Sequence, residues 1–137
     1  MTMKYWLCIT NMENWDVILD KEVHGFNERN KRYFELLSIG DKVAMYITPK
    51  RIGGLFEIVK IDFSKEVIFG GGDYPYRIKL KKIKLPSQFI LMDERLTDNL
   101  SIFKGAIKWG ATLMGKSIRE ITKNDFELIS KIINEQK

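Results

Sequence analysis

Apolar residues alternate along four stretches of the chain, and this alternation predicts β-strands. The stretches are residues 4–10, 42–48, 52–63 and 76–85. Both faces of the first stretch are apolar, so we expect that strand to be buried on both sides. In the last stretch the apolar positions change parity near Lys81 and Lys82, which predicts a β-bulge that bends the strand. Strands therefore dominate the middle of the chain.

Helices are predicted near both ends of the chain. Asn11 is a suitable N-cap for a helix that runs to about residue 20, and a second helix is expected over residues 30–37. Thr122 and Asp125 form a capping box at the start of the last helix, whose apolar stripe ends near residue 135. Strands and helices do not alternate regularly, so the predicted class is α+β, a bent or closed sheet with peripheral helices.

Length and composition predict one domain over residues 1–137. No apolar run approaches the roughly 18 residues that span a bilayer. Polar residues from Asn11 onward interrupt the early apolar stretch, so no secretory signal is expected. The single cysteine, Cys8, lies in a strand pattern and is interpreted as a buried apolar side chain. We therefore expect a cytoplasmic location.

The formal net charge of +5 favours an anionic partner. The positive residues expected to contact a nucleic-acid backbone are Lys50, Arg51, Arg77, Lys79 and Lys82. The alternative is that these residues only solvate the outer faces of strands in a lysine-rich chain.

Catalytic and metal chemistry find little support in the sequence. Residues 110–117, GATLMGKS, match the P-loop pattern G-x-x-x-x-G-K-S, but too little chain follows for the rest of a nucleotide-hydrolysing sheet. One histidine and one cysteine, far apart, do not supply a usual zinc ligand set. No G-x-S-x-G motif accompanies His24. The chain is predicted to be neither an enzyme nor a metal or cofactor protein.

A binding site is the better prediction. Asn11 follows the first strand, and residues 24–27 (His, Gly, Phe, Asn) are expected to form a polar turn. Tyr46 and Thr48 share one face of their strand, while Tyr74 and Tyr76 follow the glycine cluster at 70–72. Aromatic and basic residues close together suit a stacked base and a bound phosphate.

Each of these residues also has a simpler interpretation. Asn11 is equally well explained as an N-cap alone. The spacing of Trp15 is that of a core residue. A lone histidine in a polar turn, such as His24, is commonly an ordinary surface residue.

In order and spacing, five segments resemble the EVE domain, a member of the PUA-like superfamily related to the YTH domain. They are KYWLCITNMENW, HGFNERN, GDKVAMYIT, IGGLFEIVKI and KWGATLMGKSIREITKNDFELI, which together span nearly the whole chain. The resemblance also explains the P-loop-like string as part of a closing turn before the final helix.

The resemblance implies a barrel of about six strands with a pocket for a modified nucleobase. By matching position, Asn11 would hydrogen-bond the base, and His24 takes the place where the family usually has tryptophan. The other residues implied at the pocket are Gly25, Phe26, Tyr46, Thr48 and Tyr74. An imidazole offers less stacking area than an indole, and it is a titratable donor or acceptor.

Three functions remain open at this point. The first is a non-enzymatic module that binds RNA or DNA carrying a modified base. The second is a pocket for a free nucleoside or nucleotide. The third is a structural or protein-interaction domain whose pocket is vestigial.

Overall fold

The computed structural model describes residues 3–70, 72–103 and 117–136. The strands are β1 (Tyr5–Thr10), β2 (Val23–Phe26), β3 (Lys42–Ile47), β4 (Arg51–Phe63), β5 (Tyr76–Lys84), β6 (Ile90–Leu91) and β7 (Ile118–Ile121). The helices are α1 (Met12–Lys21), α2 (Lys31–Phe34), α3 (Glu94–Thr97) and α4 (Lys123–Asn134), with 3-10 turns at Glu28–Asn30 and Ser101–Phe103.

The strands form one mixed sheet that curves into a half-barrel. Its order is β2-β5-β4-β3-β1-β7, and the short β6 pairs with β4. β1 and β3 are parallel, while the other pairings are antiparallel. The α+β class and the bent sheet are confirmed. Among the described strands, β2 and β7 are edges, so hydrogen bonding does not close the barrel.

Both faces of the sheet are buried, as the pattern of the first strand predicted. Leu7 belongs to an apolar cluster that includes Leu96 and Ile129 and is covered by α3 and α4. Trp6 and Cys8, on the other face, belong to a cluster that includes residues of α1 and β2. Burial raises the pKa of the Cys8 thiol, which keeps it protonated and unreactive. Cys8 is therefore a core residue, as expected.

Capping and bulge chemistry agree with the sequence. The Asn11 side chain accepts a hydrogen bond from the Asn14 N–H, and Thr122 and Asp125 make the predicted capping box. Along β5 the pairing jumps from Lys84 to Lys82, which leaves one extra residue between them. The bulge lies just beyond the predicted position.

The structure differs from the prediction at three places. Residues 23–26 form strand β2 rather than a turn, because they pair with Arg77 and its neighbours on β5. The second helix ends at Phe34, three residues before the predicted end. Beyond it, the Ser38 N–H donates to the Asp41 carboxylate and not to a helical carbonyl. β7 was not predicted, since only its outer two residues are buried. The P-loop-like string at 110–117 lies, apart from Ser117, outside the described residues.

Candidate ligand-binding site

A polar cavity of about 310 Å³ opens where β1 and β3 end. Because these strands are parallel, their carboxyl ends meet at the same edge of the sheet. Thr10, Asn11 and Thr48 consequently lie together there. The backbone N–H of Thr48 donates to the Thr10 carbonyl over 2.8 Å and fixes this edge.

β2 forms the opposite side of the cavity, through His24, Gly25 and Phe26. Gly25 lies directly beneath the loop between β4 and β5. A Cβ atom at Gly25 would come within 2.9 Å of the side chains of Phe69 and Tyr74. The glycine therefore lets these two aromatic residues close over β2 as a wall of the cavity, with their rings edge to face at 5.7 Å.

Two buried side chains hold that loop in place. Asn14 exchanges two hydrogen bonds with the backbone of Gly70. Arg77 donates to the carbonyls of Tyr74 and Glu66, and its guanidinium carbon lies 5.7 Å from the centre of the Phe69 ring. The aromatic wall is thus fixed from α1 and from β5.

His24 is the most unusual residue of the cavity. Its side chain is buried, and neither ring nitrogen has a hydrogen-bond partner among the described residues. Burial lowers the pKa of His24 from 6.5 to about 4, so the imidazole is neutral at physiological pH. A T-shaped contact with Phe26, at 4.9 Å between ring centres, restrains the ring. A neutral imidazole carries one donor and one acceptor.

Ser117 and Arg29 complete the chemistry of the cavity. The Ser117 Oγ is buried and, within the part of the chain described, also has no hydrogen-bond partner. Its carbonyl accepts a hydrogen bond from the Ile9 N–H, which fixes Ser117 beside β1. Arg29 is exposed and is the charged residue among those that line the cavity.

The structure brings most of the predicted ligand residues together. Six line this cavity: Asn11, His24, Gly25, Phe26, Thr48 and Tyr74. Tyr46 does not line it, because its side chain packs in the cluster beneath α4. The Tyr46 hydroxyl accepts a hydrogen bond from the Lys50 N–H, so Tyr46 positions the turn that carries Thr48.

The predicted backbone-contacting residues are not at the cavity. Arg77 is buried, and its guanidinium donates to two carbonyls of the β4–β5 loop. The Arg51 guanidinium donates to the Thr48 carbonyl and lies over the ring of Phe89. Lys50 is exposed in the turn beside Thr48, while Lys79 and Lys82 are exposed along β5.

Sequence reasoning missed several lining residues. Asn27 and Arg29 lie in HGFNERN, one of the five segments that resemble the family. The sequence could therefore have identified them as candidate lining residues. No sequence pattern marked Phe69 or Ser117 as a lining residue, because both are far in sequence from Asn11 and His24 and join them only through the fold. Asn14 is a buried polar residue of α1, and no sequence pattern distinguished it from the exposed polar residues of that helix.

The described ranges contain no group of three or more side chains that could hold a metal ion. Across the same residues no helix has the length and apolar character needed to cross a membrane.

The curved mixed sheet, the peripheral helices and the cavity at the end of the first strand agree with the PUA-like architecture expected from the sequence. The chain belongs to the EVE domain family, whose model matches residues 4–132. A UPF0310 protein of Pyrococcus abyssi is 34% identical to it, over 96% of this chain and 100% of the relative.

Two solved structures have the same fold at low sequence identity. One is human THYN1 in complex with DNA containing 5-methylcytosine, with a TM-score of 0.61 and 13% identity over 98% of this chain and 99% of the other. The second is the YTH domain of the Zygosaccharomyces rouxii MRB1 protein in complex with N6-methyladenosine RNA. Its TM-score is 0.62, with 14% identity over 97% of this chain and 90% of the other.

Proposed function

We propose that this protein binds nucleic acid and holds one modified base in the cavity at the end of β1, without performing catalysis on it. The observation that carries the proposal is that six of the residues predicted for the pocket line this one cavity. Membership of the EVE family, and fold neighbours whose structures contain methylated DNA or RNA, give the proposal its ligand class.

The size and walls of the cavity suit a single base. A volume of about 310 Å³ lies at the small end of the range for ligand sites, roughly 300–1,000 Å³. Phe69 and Tyr74 supply aromatic surface against which a flat ring packs. Stacking of a base on an aromatic side chain contributes about 1–3 kcal/mol.

The rim supplies polar and charged contacts. Asn11 uses its side-chain oxygen to cap α1, and its amide nitrogen still offers N–H donors. The exposed Arg29 guanidinium suits a phosphate next to the base. Lys50, in the turn after Thr48, lies near enough in sequence to extend the same positive rim.

The proposal is tested by titrating short single-stranded RNA and DNA oligonucleotides with and without one central methylated base, at several salt concentrations. We expect tighter binding of a methylated oligonucleotide and an affinity that falls as salt rises, because bound cations are released from phosphates. Affinity that is indifferent to both salt and methylation contradicts the proposal.

A pair of variants locates the phosphate contact. Arg29→Ala should weaken binding of every oligonucleotide and reduce the salt slope by about one. Lys82→Ala removes an exposed charge from the bulged end of β5 and should leave the slope unchanged if the backbone crosses only the cavity rim. The reverse result would move the backbone path to β5.

Free nucleosides separate base recognition from nucleic-acid binding. A methylated nucleoside that raises the melting temperature as much as the matching oligonucleotide would show that the phosphate chain adds nothing. That outcome would favour a small-molecule pocket over the function proposed.

A further inference from the structure

Buried polar groups in folded proteins almost always have hydrogen-bond partners. His24 and Ser117 break this rule in one place, because both line the cavity and their polar side-chain atoms are unpaired within the described residues. Leaving such groups unpaired costs free energy, which a ligand recovers when it supplies the missing partners.

Three other polar side chains that line the cavity already have hydrogen-bond partners within the fold. Asn14 binds the Gly70 backbone, and the Thr48 hydroxyl lies 3.3 Å from the Thr10 carbonyl that it donates to. The Asn27 side-chain oxygen accepts two hydrogen bonds from Asn30. Unsatisfied buried capacity is therefore concentrated on His24 and Ser117, on two segments of the chain far apart in sequence.

Building on the proposed function, we infer that His24 and Ser117 hydrogen-bond the edge of the bound base that carries its amino group, and so determine which bases are accepted. Both 5-methylcytosine and N6-methyladenine present an amino donor beside a ring-nitrogen acceptor. The unprotonated imidazole nitrogen accepts from the amino group, and the Ser117 hydroxyl donates to the ring nitrogen.

The state of the imidazole supports this pairing. The lowered pKa of His24 keeps a lone pair on one ring nitrogen, which a protonated ring would lack. Both ring nitrogens are shut off from solvent in the ligand-free protein. The inferred contact therefore requires the ring to turn about its Cβ–Cγ bond, against its T-shaped contact with Phe26, when the base enters. Because the imidazole takes the position of a stacking ring, it adds selectivity at the expense of stacking area.

The test uses two pairs of oligonucleotides that differ at the amino group of one central base. One pair carries 5-methylcytosine or 5-methylpyrimidin-2-one, and the other carries N6-methyladenine or 6-ethylpurine, in which the N–H is replaced by CH₂. In the pair that binds, we expect the wild-type protein to prefer the amino-bearing base by about tenfold or more.

Two variants assign that preference to the inferred residues. His24→Phe keeps an aromatic ring without nitrogens and should reduce the preference to about twofold or less, with a smaller reduction in Ser117→Ala. Ser130→Ala, on α4 and away from the cavity lining, is the matched serine control and should keep the full preference. Because the readout is a ratio of affinities in one protein, a general loss of stability does not imitate it.

Each outcome has a distinct meaning. If His24→Phe and Ser117→Ala retain the full preference, or if the wild-type protein shows none while still favouring methylated oligonucleotides, the inference is overturned and the proposed function stands. If methylated and unmodified oligonucleotides bind alike, the proposed function itself fails and this inference falls with it.

Discussion

Two groups of buried polar residues behave in opposite ways in this protein. Asp41 and Asp125, within the fold, are both nearly inaccessible and fully engaged. Asp41 accepts hydrogen bonds from the Lys4 and Ser38 backbone and from the Trp6 indole, over 3.0–3.1 Å. At the cavity, the ring nitrogens of His24 and the hydroxyl oxygen of Ser117 are buried and have no hydrogen-bond partner among the described residues.

The difference separates structure from function. Asp125 ties the Ser101 backbone and hydroxyl to the start of α4, and so fixes how the chain packs. A polar group used in this way has no hydrogen-bonding capacity left for a ligand. The unpaired polar atoms at the cavity form no hydrogen bond among the described residues, and their cost is explained if they bind something that enters from outside.

The largest effect on stability is expected when Asp41, a fully hydrogen-bonded residue of the fold, is replaced. Asp41→Ala leaves three N–H donors without an acceptor, one of them on a buried indole. We expect the free energy of unfolding to fall by about 3–5 kcal/mol in urea denaturation. Asp41→Asn keeps the shape and part of the hydrogen bonding, so its loss should be clearly smaller. A loss below about 1 kcal/mol for Asp41→Ala would remove the distinction between the two groups.

The pH dependence of stability is the next largest effect. His24 is the single histidine of the chain, and its pKa is lowered from 6.5 to about 4 in the folded state. Between these pH values the imidazole is protonated in the unfolded chain and neutral in the folded protein. The contribution of His24 to the free energy of unfolding is therefore fully present above pH 6.5 and is lost as the pH falls to 4. The shift corresponds to about 3 kcal/mol.

His24→Phe should remove this component. Carboxylates such as Glu57 and Asp93, whose pKa values are lowered by Lys42 and Arg95, lose their stabilising effect at lower pH in both proteins. The difference between the wild type and the variant therefore isolates the imidazole. Parallel stability curves from pH 7 to 4 would show that His24 is not buried in its neutral form.

A smaller loss of stability is expected when Arg77, which holds the β4–β5 loop in place, is replaced. Arg77→Ala removes the two hydrogen bonds to the β4–β5 loop and should cost about 2 kcal/mol of stability. Lys79→Ala, two residues along the same strand and exposed, should change stability by less than about 0.5 kcal/mol. Equal losses of stability in Arg77→Ala and Lys79→Ala would show that Arg77 contributes no more to the fold than an exposed charge.

The smallest effect on stability is expected at Gly25. A methyl group there meets the Phe69 and Tyr74 side chains at 2.9 Å and the Tyr74 carbonyl at 3.0 Å. We expect Gly25→Ala to cost about 1–2 kcal/mol and to displace the aromatic wall. Gly25→Ala should lose more oligonucleotide affinity than Arg77→Lys when the two variants are compared at equal stability. Unchanged affinity in Gly25→Ala would show that the aromatic wall does not contact the ligand.

Local chemistry was predictable from the sequence, and long-range pairing was not. The caps at Asn11 and Thr122 and the bulge in β5 depend on neighbouring residues, and the sequence patterns predicted them. The segment at 24–26 was mistaken for a turn because its pairing partner lies about fifty residues away on β5. A four-residue strand has too few positions to show its period without that partner.

The candidate site was predicted in outline for the same reason. Asn11 and Thr48 lie at strand ends that a sequence pattern identifies, whereas His24 was assigned through the family resemblance. The structure places all three around one cavity. The fate of charged side chains depends on folding: Arg77 became an internal anchor, whereas Arg29, which no pattern distinguished, lines the cavity. Whether a polar group finds a partner is decided by the whole fold.

The most direct measurement follows the ring nitrogens of His24 by NMR during titration with oligonucleotides. Since the chain has one histidine, ¹⁵N-labelling of histidine gives a single pair of ring signals. The account predicts that an oligonucleotide with a methylated base shifts both signals and protects the ring N–H from exchange, while the unmodified sequence does so only at much higher concentration. Saturable binding of the methylated oligonucleotide with both ring signals unmoved would contradict the placement of the base in this cavity.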